Sequence, residues 1–128
     1  MRAHSKQQSA RKDIGRAAEQ AARAFLQTRG CNFVESNYRC RMGEIDLVMR
    51  QGSILVFVEV RYRTRPDYGS GAESVDHRKQ GRLIRAAQHY MLSKQIADRY
   101  PVRFDVMDLS PGQDGFEINW IPSAFETL

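Results

Sequence analysis

Asp46 and Glu59 are acidic residues inside two otherwise apolar segments, residues 44–50 and 54–62. Both segments are rich in β-branched and apolar residues and predict strands, and the short link at Gly52 predicts a two-residue hairpin turn. Counting back from this turn sets Asp46 opposite Glu59, with both side chains on one face of the hairpin. Their side-chain roots would lie ~4.5–5.5 Å apart, so the two carboxylates would repel unless a proton or a cation came between them.

A divalent cation held by Asp46 and Glu59 is one way to relieve this repulsion. Magnesium suits such a site because it prefers oxygen ligands and keeps several bound waters. The alternative is neutralisation by nearby arginines (Arg39, Arg41 or Arg61), since Arg61 would face Glu44 in the same hairpin. The hairpin pattern alone leaves both interpretations open.

The other face of the predicted hairpin is apolar throughout. Because side chains alternate across a strand, this face requires cover from a helix or another layer. Its residues are Ile45, Leu47, Met49, Val56, Val58 and Val60.

Further elements lie on either side of the hairpin. Residues 1–13 lack periodicity and predict a mobile basic arm, and Asp13 can cap a helix that starts at Ile14. Ser74 or Asp76 can cap a second helix, which would reach about Lys94. The other predicted elements are a helix end at Arg29, strands at 32–39, 102–109 and 116–121, an exposed loop at 63–73 and a turn at 110–115. The order α-β-β-β-α-β-β predicts an α/β fold with a central mixed sheet, as one domain over residues 14–128.

The charge distribution predicts a polyanionic partner. The 128-residue chain carries a net charge of +5, and residues 1–65 hold 13 basic against 6 acidic side chains. Such a basic half is typical of nucleic-acid binding, although a solvated charged surface would look the same. No apolar run reaches the length of a membrane span, and the N-terminus lacks a secretory signal. Cys31 and Cys40 lack zinc-site spacing, and a cytoplasmic protein with free thiols is expected.

The sequence around the acidic residues resembles the Asp…Glu-x-Lys core of the restriction-endonuclease-like nucleases. Over residues 13–126 it resembles, more closely, the YraN family of small bacterial proteins, often predicted to be endonucleases related to archaeal Holliday-junction resolvases. The motifs that carry the resemblance are Gly15-Arg-Ala-Ala-Glu19, Gly43-Glu-Ile-Asp-Leu-Val48, Val56-Phe-Val-Glu-Val-Arg61, Val75 to Lys79, Arg103-Phe-Asp-Val106 and Ile121-Pro-Ser-Ala-Phe125.

This resemblance implies a role for each matching residue. Asp46 and Glu59 would bind one or two Mg²⁺ or Mn²⁺ ions, and Glu19 matches a first-helix glutamate that some of these nucleases bring to the metal. Arg61 stands where the nucleases have lysine, and a guanidinium can stabilise the transition state but cannot readily deprotonate water. Lys79 could lean over the site instead. For Lys79 an exposed helix-end position, and for Glu19 a partnership with Arg16 or Arg23, are the simpler alternatives.

Two sets of cations predict a nucleic-acid surface. Helical spacing places three arginines and His89 on one ridge of the second helix, while further arginines alternate out of the third strand. These residues are Arg78, Arg82 and Arg85 on the ridge, and Arg61, Arg63 and Arg65 on the strand.

We therefore expect a metal-dependent endonuclease that acts on DNA, especially branched or structured DNA, with RNA as a second substrate class. The alternatives are a non-catalytic nucleic-acid-binding module and a protein-interaction subunit on the same fold. The resemblance also implies a homodimer, because many nucleases of this fold use two sites to cut two strands.

Overall fold

The computed structural model describes residues 2–64 and 75–126, with side chains from residue 8 onward. Its element order matches the predicted α-β-β-β-α-β-β arrangement. The elements are α1 (Arg2–Thr28), β1 (Asn32–Cys40), β2 (Gly43–Gln51), β3 (Ile54–Tyr62), α2 (His77–Ser93), β4 (Val102–Gly112) and β5 (Gly115–Phe125). The predicted loop at 63–73 lies largely outside the described residues.

The strands form one five-stranded mixed sheet in the order β1-β2-β3-β4-β5. The first three strands are antiparallel neighbours, β3 and β4 run parallel because α2 connects them, and β5 returns antiparallel to β4. The β2–β3 register confirms the predicted hairpin, since Gln51 pairs with Ile54 and Val48 with Phe57.

Helix α1 begins at Arg2, so the predicted start at Ile14 is wrong. Residues 2–13 contain no glycine or proline and are rich in strong helix formers, which lets the helix run through Asp13 instead of starting there. The side chains of residues 8–13 are exposed, and this segment, predicted as a basic arm, is an exposed helical extension. The turn after β4 is likewise shorter than predicted, because pairing continues to Gly112 and Gly115.

The two helices cover opposite faces of the sheet. Ala18, Ala22 and Leu26 of α1 pack on the face that carries Leu47, Met49, Val56 and Val58. Leu83, Ala87 and Tyr90 of α2 pack on the other face. The predicted helix cover over the apolar face of the hairpin is therefore confirmed, with one exception. Ile45 was predicted on the same face as Leu47 but packs on the opposite, α2-covered face, in the cluster that contains Val48 and Phe57.

Helix α2 is fixed at its N-terminus by Asp76, whose carboxylate accepts a hydrogen bond from the Lys79 backbone N–H at 2.9 Å. This confirms Asp76 as one of the two predicted caps, and Ser74 lies outside the described residues. An N-cap of this kind stabilises a helix by about 1 kcal/mol. In the part of the chain that the structure describes, neither helix is long and apolar enough to cross a membrane.

Gly43 allows α2 to pass close to β2. A Cβ atom at this position would lie 2.9 Å from the carbonyl oxygen of Arg82 and 3.2 Å from the Arg82 Cβ. Since the contacted atom belongs to the helix backbone, Gly43→Ala must displace α2, and we expect it to lower the free energy of unfolding by about 1–3 kcal/mol. Gly15→Ala is the matched control. A Cβ there meets nothing within 4 Å, so we expect a gain of about 0.5–1 kcal/mol. Urea denaturation of both variants measures these changes.

Candidate active site

The strand pairing breaks at Asp46. Tyr38 pairs with Ile45 and Ser36 with Leu47, but Asn37 and Asp46 between them make no ladder pair. Asn37 has a φ of +54°, in the left-handed region that asparagine tolerates better than most residues. The break changes which face the following side chains occupy, so Ile45 and Leu47 lie on opposite faces of the sheet. This explains the wrong prediction for Ile45.

Asp46 extends from the break toward β3. The β2–β3 ladder ends at the Leu47–Val58 pair, and beyond it the Asp46 carboxylate accepts a hydrogen bond from the Val60 backbone N–H at 2.8 Å. The side chain thus takes the place of a backbone partner and is fixed between the two strands. The count from the turn predicted that Asp46 and Glu59 are partners in a regular ladder, and this is wrong. Both residues nevertheless line the same cavity.

The acidic pair, Asp46 and Glu59, is forced into proximity and away from water. Burial is the largest cause that raises the Asp46 pKa to about 8, and the charge of Glu59 raises it further. Burial also raises the pKa of Glu59, while the charge of Lys79 and a hydrogen bond from Asp46 oppose the rise. Folding therefore favours the protonated form of Asp46, which can donate a hydrogen bond to Glu59. A bound cation would relieve the repulsion between the two carboxylates in place of this proton.

The acidic pair lies in a cavity of about 550 Å³ between α2 and the β1–β2 end of the sheet, here called the central cavity. Three cations stand among its lining residues, which are Arg39, Cys40, Gly43, Glu44, Asp46, Glu59, Lys79, Arg82 and Leu83. Such a cavity is suited to a metal ion together with a phosphate group. The carboxylates can bind the metal ion, and the cationic side chains can bind the phosphate oxygens.

Lys79 and Arg61 occupy different positions around the acidic pair. Lys79 is exposed and lines the central cavity, and of the nearby cations it lowers the Glu59 pKa most. Arg61 is half-buried on β3, and its charge also lowers the Glu59 pKa, by a smaller amount. The Nε atom of Arg61 is buried and has no hydrogen-bond partner among the described residues. The predicted Glu44–Arg61 pair does not form. Glu44 instead lies 3.4 Å from Arg39.

Glu19, predicted as a further metal ligand, lies on the α1 side of the strand break and does not converge with Asp46 and Glu59 at metal-binding distance. The Asn37 side chain donates a hydrogen bond to Glu19, while burial raises the Glu19 pKa. The negative charge of Glu19 also contributes to the raised pKa of Asp46. An ion pair of Glu19 with Arg16 or Arg23, the simpler alternative, is not present in the described part of the chain, although both arginines line a cavity with it.

The residues predicted for nucleic-acid binding separate into three groups. Arg78, Arg82 and Arg85 are exposed along α2, as the helical spacing predicted. Arg63 instead forms a bidentate ion pair with Asp108, with N–O distances of 2.6 and 3.2 Å and both side chains largely buried. Arg65 lies outside the described residues. His89, counted with the α2 ridge, shares a 2.5 Å hydrogen bond with the Tyr38 hydroxyl.

Two carboxylates are a suitable donor set for a hard cation that keeps water. No group of three or more His, Cys, Asp or Glu side chains converges at metal-binding distance within residues 8–64 and 75–126. Zinc and calcium sites built wholly from protein ligands need more donors than this. Mg²⁺ and Mn²⁺ do not, because water and substrate phosphate oxygens complete their coordination. Asp46 and Glu59 are thus the residues that could hold the ion.

Sequence reasoning missed Asn37 and Cys40, and it named Arg39 only as an arginine that could neutralise the two carboxylates. Arg39 and Cys40 enter the central cavity because they end β1 beside β2, a neighbourhood that only the strand pairing reveals. The residue type of Asn37 was the one sequence feature that could have indicated the break in strand pairing. An asparagine inside a strand pattern is unusual, and left-handed backbone is one reason for it.

The fold and the site define a small α/β protein whose mixed sheet holds an acidic pair in a basic cavity. Comparison with known proteins names the family. A model of "uncharacterised protein family UPF0102" matches residues 18–109, and the chain belongs to this family, which is the YraN-type family that its motifs resemble.

Three relatives illustrate the match. A UPF0102 protein of Pseudomonas syringae pv. tomato is 48% identical over 124 residues, which cover 93% of this chain and 97% of the relative. One from Legionella pneumophila (strain Philadelphia 1) is 44% identical over 112 residues, covering 88% and 93%. One from Methylococcus capsulatus is 48% identical over 112 residues, covering 88% and 89%.

Proposed function

We propose that this protein is a divalent-cation-dependent endonuclease that hydrolyses phosphodiester bonds in DNA. The observation that carries the proposal is the acidic pair, whose two partly buried carboxylates line one cavity together with Arg39, Lys79 and Arg82. A structural role alone gives no benefit from two desolvated carboxylates at one point, since such a pair costs stability. The cost is offset when a cation replaces the proton.

Each residue of the site contributes a separate function. Asp46 is oriented by its hydrogen bond from Val60, and Glu59 lines the same cavity from β3, so the two carboxylates would share one ion. A Mg²⁺ or Mn²⁺ ion bound there would lower the pKa of a coordinated water and polarise the scissile phosphate. Lys79 and Arg82 on the cavity wall attract the phosphate and offset the charge that develops on it.

The nucleases that this chain resembles have a lysine where it has Arg61. Lys79 supports the proposal because it can take over the role of that lysine. Its ammonium is near enough to Glu59 to lower the pKa of that carboxyl, while the Arg61 guanidinium has its Nε buried. A lysine can exchange a proton with water more readily than an arginine can. Lys79 therefore orients the attacking water, and Arg61 contributes charge.

The first test is cleavage of fluorescently labelled branched, single-stranded and duplex DNA in Mg²⁺ or Mn²⁺, with an RNA of the same sequence beside them. We expect DNA cleavage that stops in EDTA and in the Glu59→Gln variant. Cleavage of RNA alone would transfer the proposal to another substrate class. Binding that falls steeply with salt but ignores divalent ions, without cleavage, would identify a binding module instead.

Lys79→Met is expected to reduce the rate of DNA cleavage on the order of 10²-fold, the scale of a lost general-base or charge-stabilising group. Arg78→Met is the control, since Arg78 is the neighbouring exposed cation of α2 and does not line the central cavity. It should change DNA affinity and its salt dependence more than the rate at saturating DNA. Equal losses of rate in the two variants would contradict a specific role for Lys79.

A further inference from the structure

A row of cavities extends from the central cavity past the end of the β1–β2 hairpin to the α1 side of the sheet. A second cavity of about 450 Å³, here called the rim cavity, shares Arg39 and Glu44 with the central cavity. The rim cavity also shares Arg16, Glu19 and Asn37 with a third cavity beside α1. Because neighbouring cavities share lining residues, the three lie in a row from α2, past the hairpin end, to α1, and this row is here called the groove.

Cations follow the groove along its whole course. They are Lys79 and Arg82 on α2, Arg39 at the hairpin end, and Lys12, Arg16 and Arg23 on α1. The acidic residues on the α1 side are Glu44, which lies beside Arg39, and Glu19, which accepts a hydrogen bond from Asn37. The Arg39–Glu44 pair is weak, since its side chains are 75% and 41% exposed, so Arg39 can turn to another anion.

The course of the groove selects the conformation of a bound nucleic acid. Helices α1 and α2 cover opposite faces of the sheet, so a backbone that contacts Lys79 and Arg16 together must turn around the sheet end. Duplex DNA resists such a turn, because its persistence length is about 150 bp. A single strand follows a charged groove at much lower cost.

We propose that the rim cavity, with Lys12, Arg16 and Arg39, binds the single-stranded continuation of a DNA whose duplex part lies at α2. This inference rests on the proposed function and names its substrate class, which is DNA with a junction between duplex and single strand. The contacts are to phosphates, so they carry no sequence preference. Charge complementarity and the turn in the groove together distinguish this occupant from a continuous duplex.

Binding without divalent ions tests the groove separately from cleavage. Fluorescence anisotropy in EDTA compares a blunt duplex with the same duplex carrying a single-stranded arm of about ten nucleotides. We expect wild type to bind the tailed DNA about tenfold more tightly, and the Lys12→Ala/Arg16→Ala variant to lose this advantage while its affinity for the blunt duplex is unchanged. Loss of two single-strand phosphate contacts should also reduce the salt slope for tailed DNA by about 1.4.

The control is Arg29→Ala/Arg99→Ala, which removes the same charge from exposed positions that line none of the three cavities. It should preserve the preference for tailed DNA. Equal losses on blunt and tailed DNA, or an unchanged preference in Lys12→Ala/Arg16→Ala, would overturn the assignment, provided circular dichroism shows both variants folded. If tailed DNA binds as expected and no DNA is cleaved, the groove stands and the nuclease proposal fails. If DNA is cleaved but tailed DNA is not preferred, the nuclease proposal stands and the groove assignment fails.

Discussion

The Asp46→Asn variant is expected to lose DNA cleavage by at least ~100-fold in Mg²⁺ and to be more stable than wild type at pH 8 and above. Asparagine can keep the hydrogen bond from Val60 through its carbonyl oxygen and donate to Glu59 through its amide, as protonated Asp46 does. It cannot supply the negative charge that a cation needs, so metal affinity is lost. Activity and stability should therefore change in opposite directions.

The pH dependence follows from the raised pKa of Asp46. Its folded-state value of about 8 lies above its ordinary value of 3.8, so folding favours the protonated form. The stability from this group is fully present below pH 3.8 and is lost progressively as the pH rises toward 8, with each unit of pKa difference worth about 1.4 kcal/mol. Between pH 5 and 8, thermal denaturation in EDTA should give a falling melting temperature for wild type and a smaller fall for Asp46→Asn.

Mg²⁺ provides the internal check on this prediction. At pH 8 it should raise the melting temperature of wild type, since an ion that binds only the folded state stabilises it, and it should leave that of Asp46→Asn unchanged. Asp114→Asn, at an exposed position in the β4–β5 turn, should behave as wild type in every assay. Cleavage at the wild-type rate in Asp46→Asn would remove the acidic pair from the mechanism.

The largest loss of stability is expected from a substitution of Asp105, which does not line the central cavity. Asp105 is fully buried and accepts four hydrogen bonds, of 2.8 and 3.0 Å from Arg103, 2.9 Å from Trp120 and 3.0 Å from the Ser123 backbone N–H. The bonds from Trp120 and Ser123 join β4 to β5 where their register shifts beside Asp105, while the two from Arg103 lie within β4. Removing one partner of a buried ion pair costs about 3–5 kcal/mol, because the other charge stays buried without compensation.

Asp105→Ala is therefore expected to lower the free energy of unfolding by about 3–5 kcal/mol in urea denaturation. Asp98→Asn, at an exposed aspartate, should stay within about 0.5 kcal/mol of wild type. The double variant Arg103→Met/Asp105→Leu should recover part of the loss, since it removes both charges together. A loss below ~1 kcal/mol in Asp105→Ala would show that the buried Asp105 carboxylate does not hold β5 against β4.

Much of the fold was predictable from local chemistry. The Gly52-Ser53 turn determined the register of β2 and β3, and Asp76 marked the start of α2. The start of α1 was not predictable in the same way, because the helix continues through a polar segment without an apolar stripe to signal it. Helical propensity alone was the available signal, and it is a weak one beside periodicity.

The sequence by itself determined that Asp46 and Glu59 come from adjacent strands, because turn chemistry and alternation act over a few residues. It also determined that the chain belongs with proteins carrying the same separated motifs. Only the tertiary structure decided that Asn37 breaks the pairing beside Asp46, that Arg63 is engaged by Asp108, and that Arg39 and Lys79 meet at one cavity. These outcomes depend on contacts between residues distant in the chain, and such contacts are fixed by how the strands pair and the helices pack.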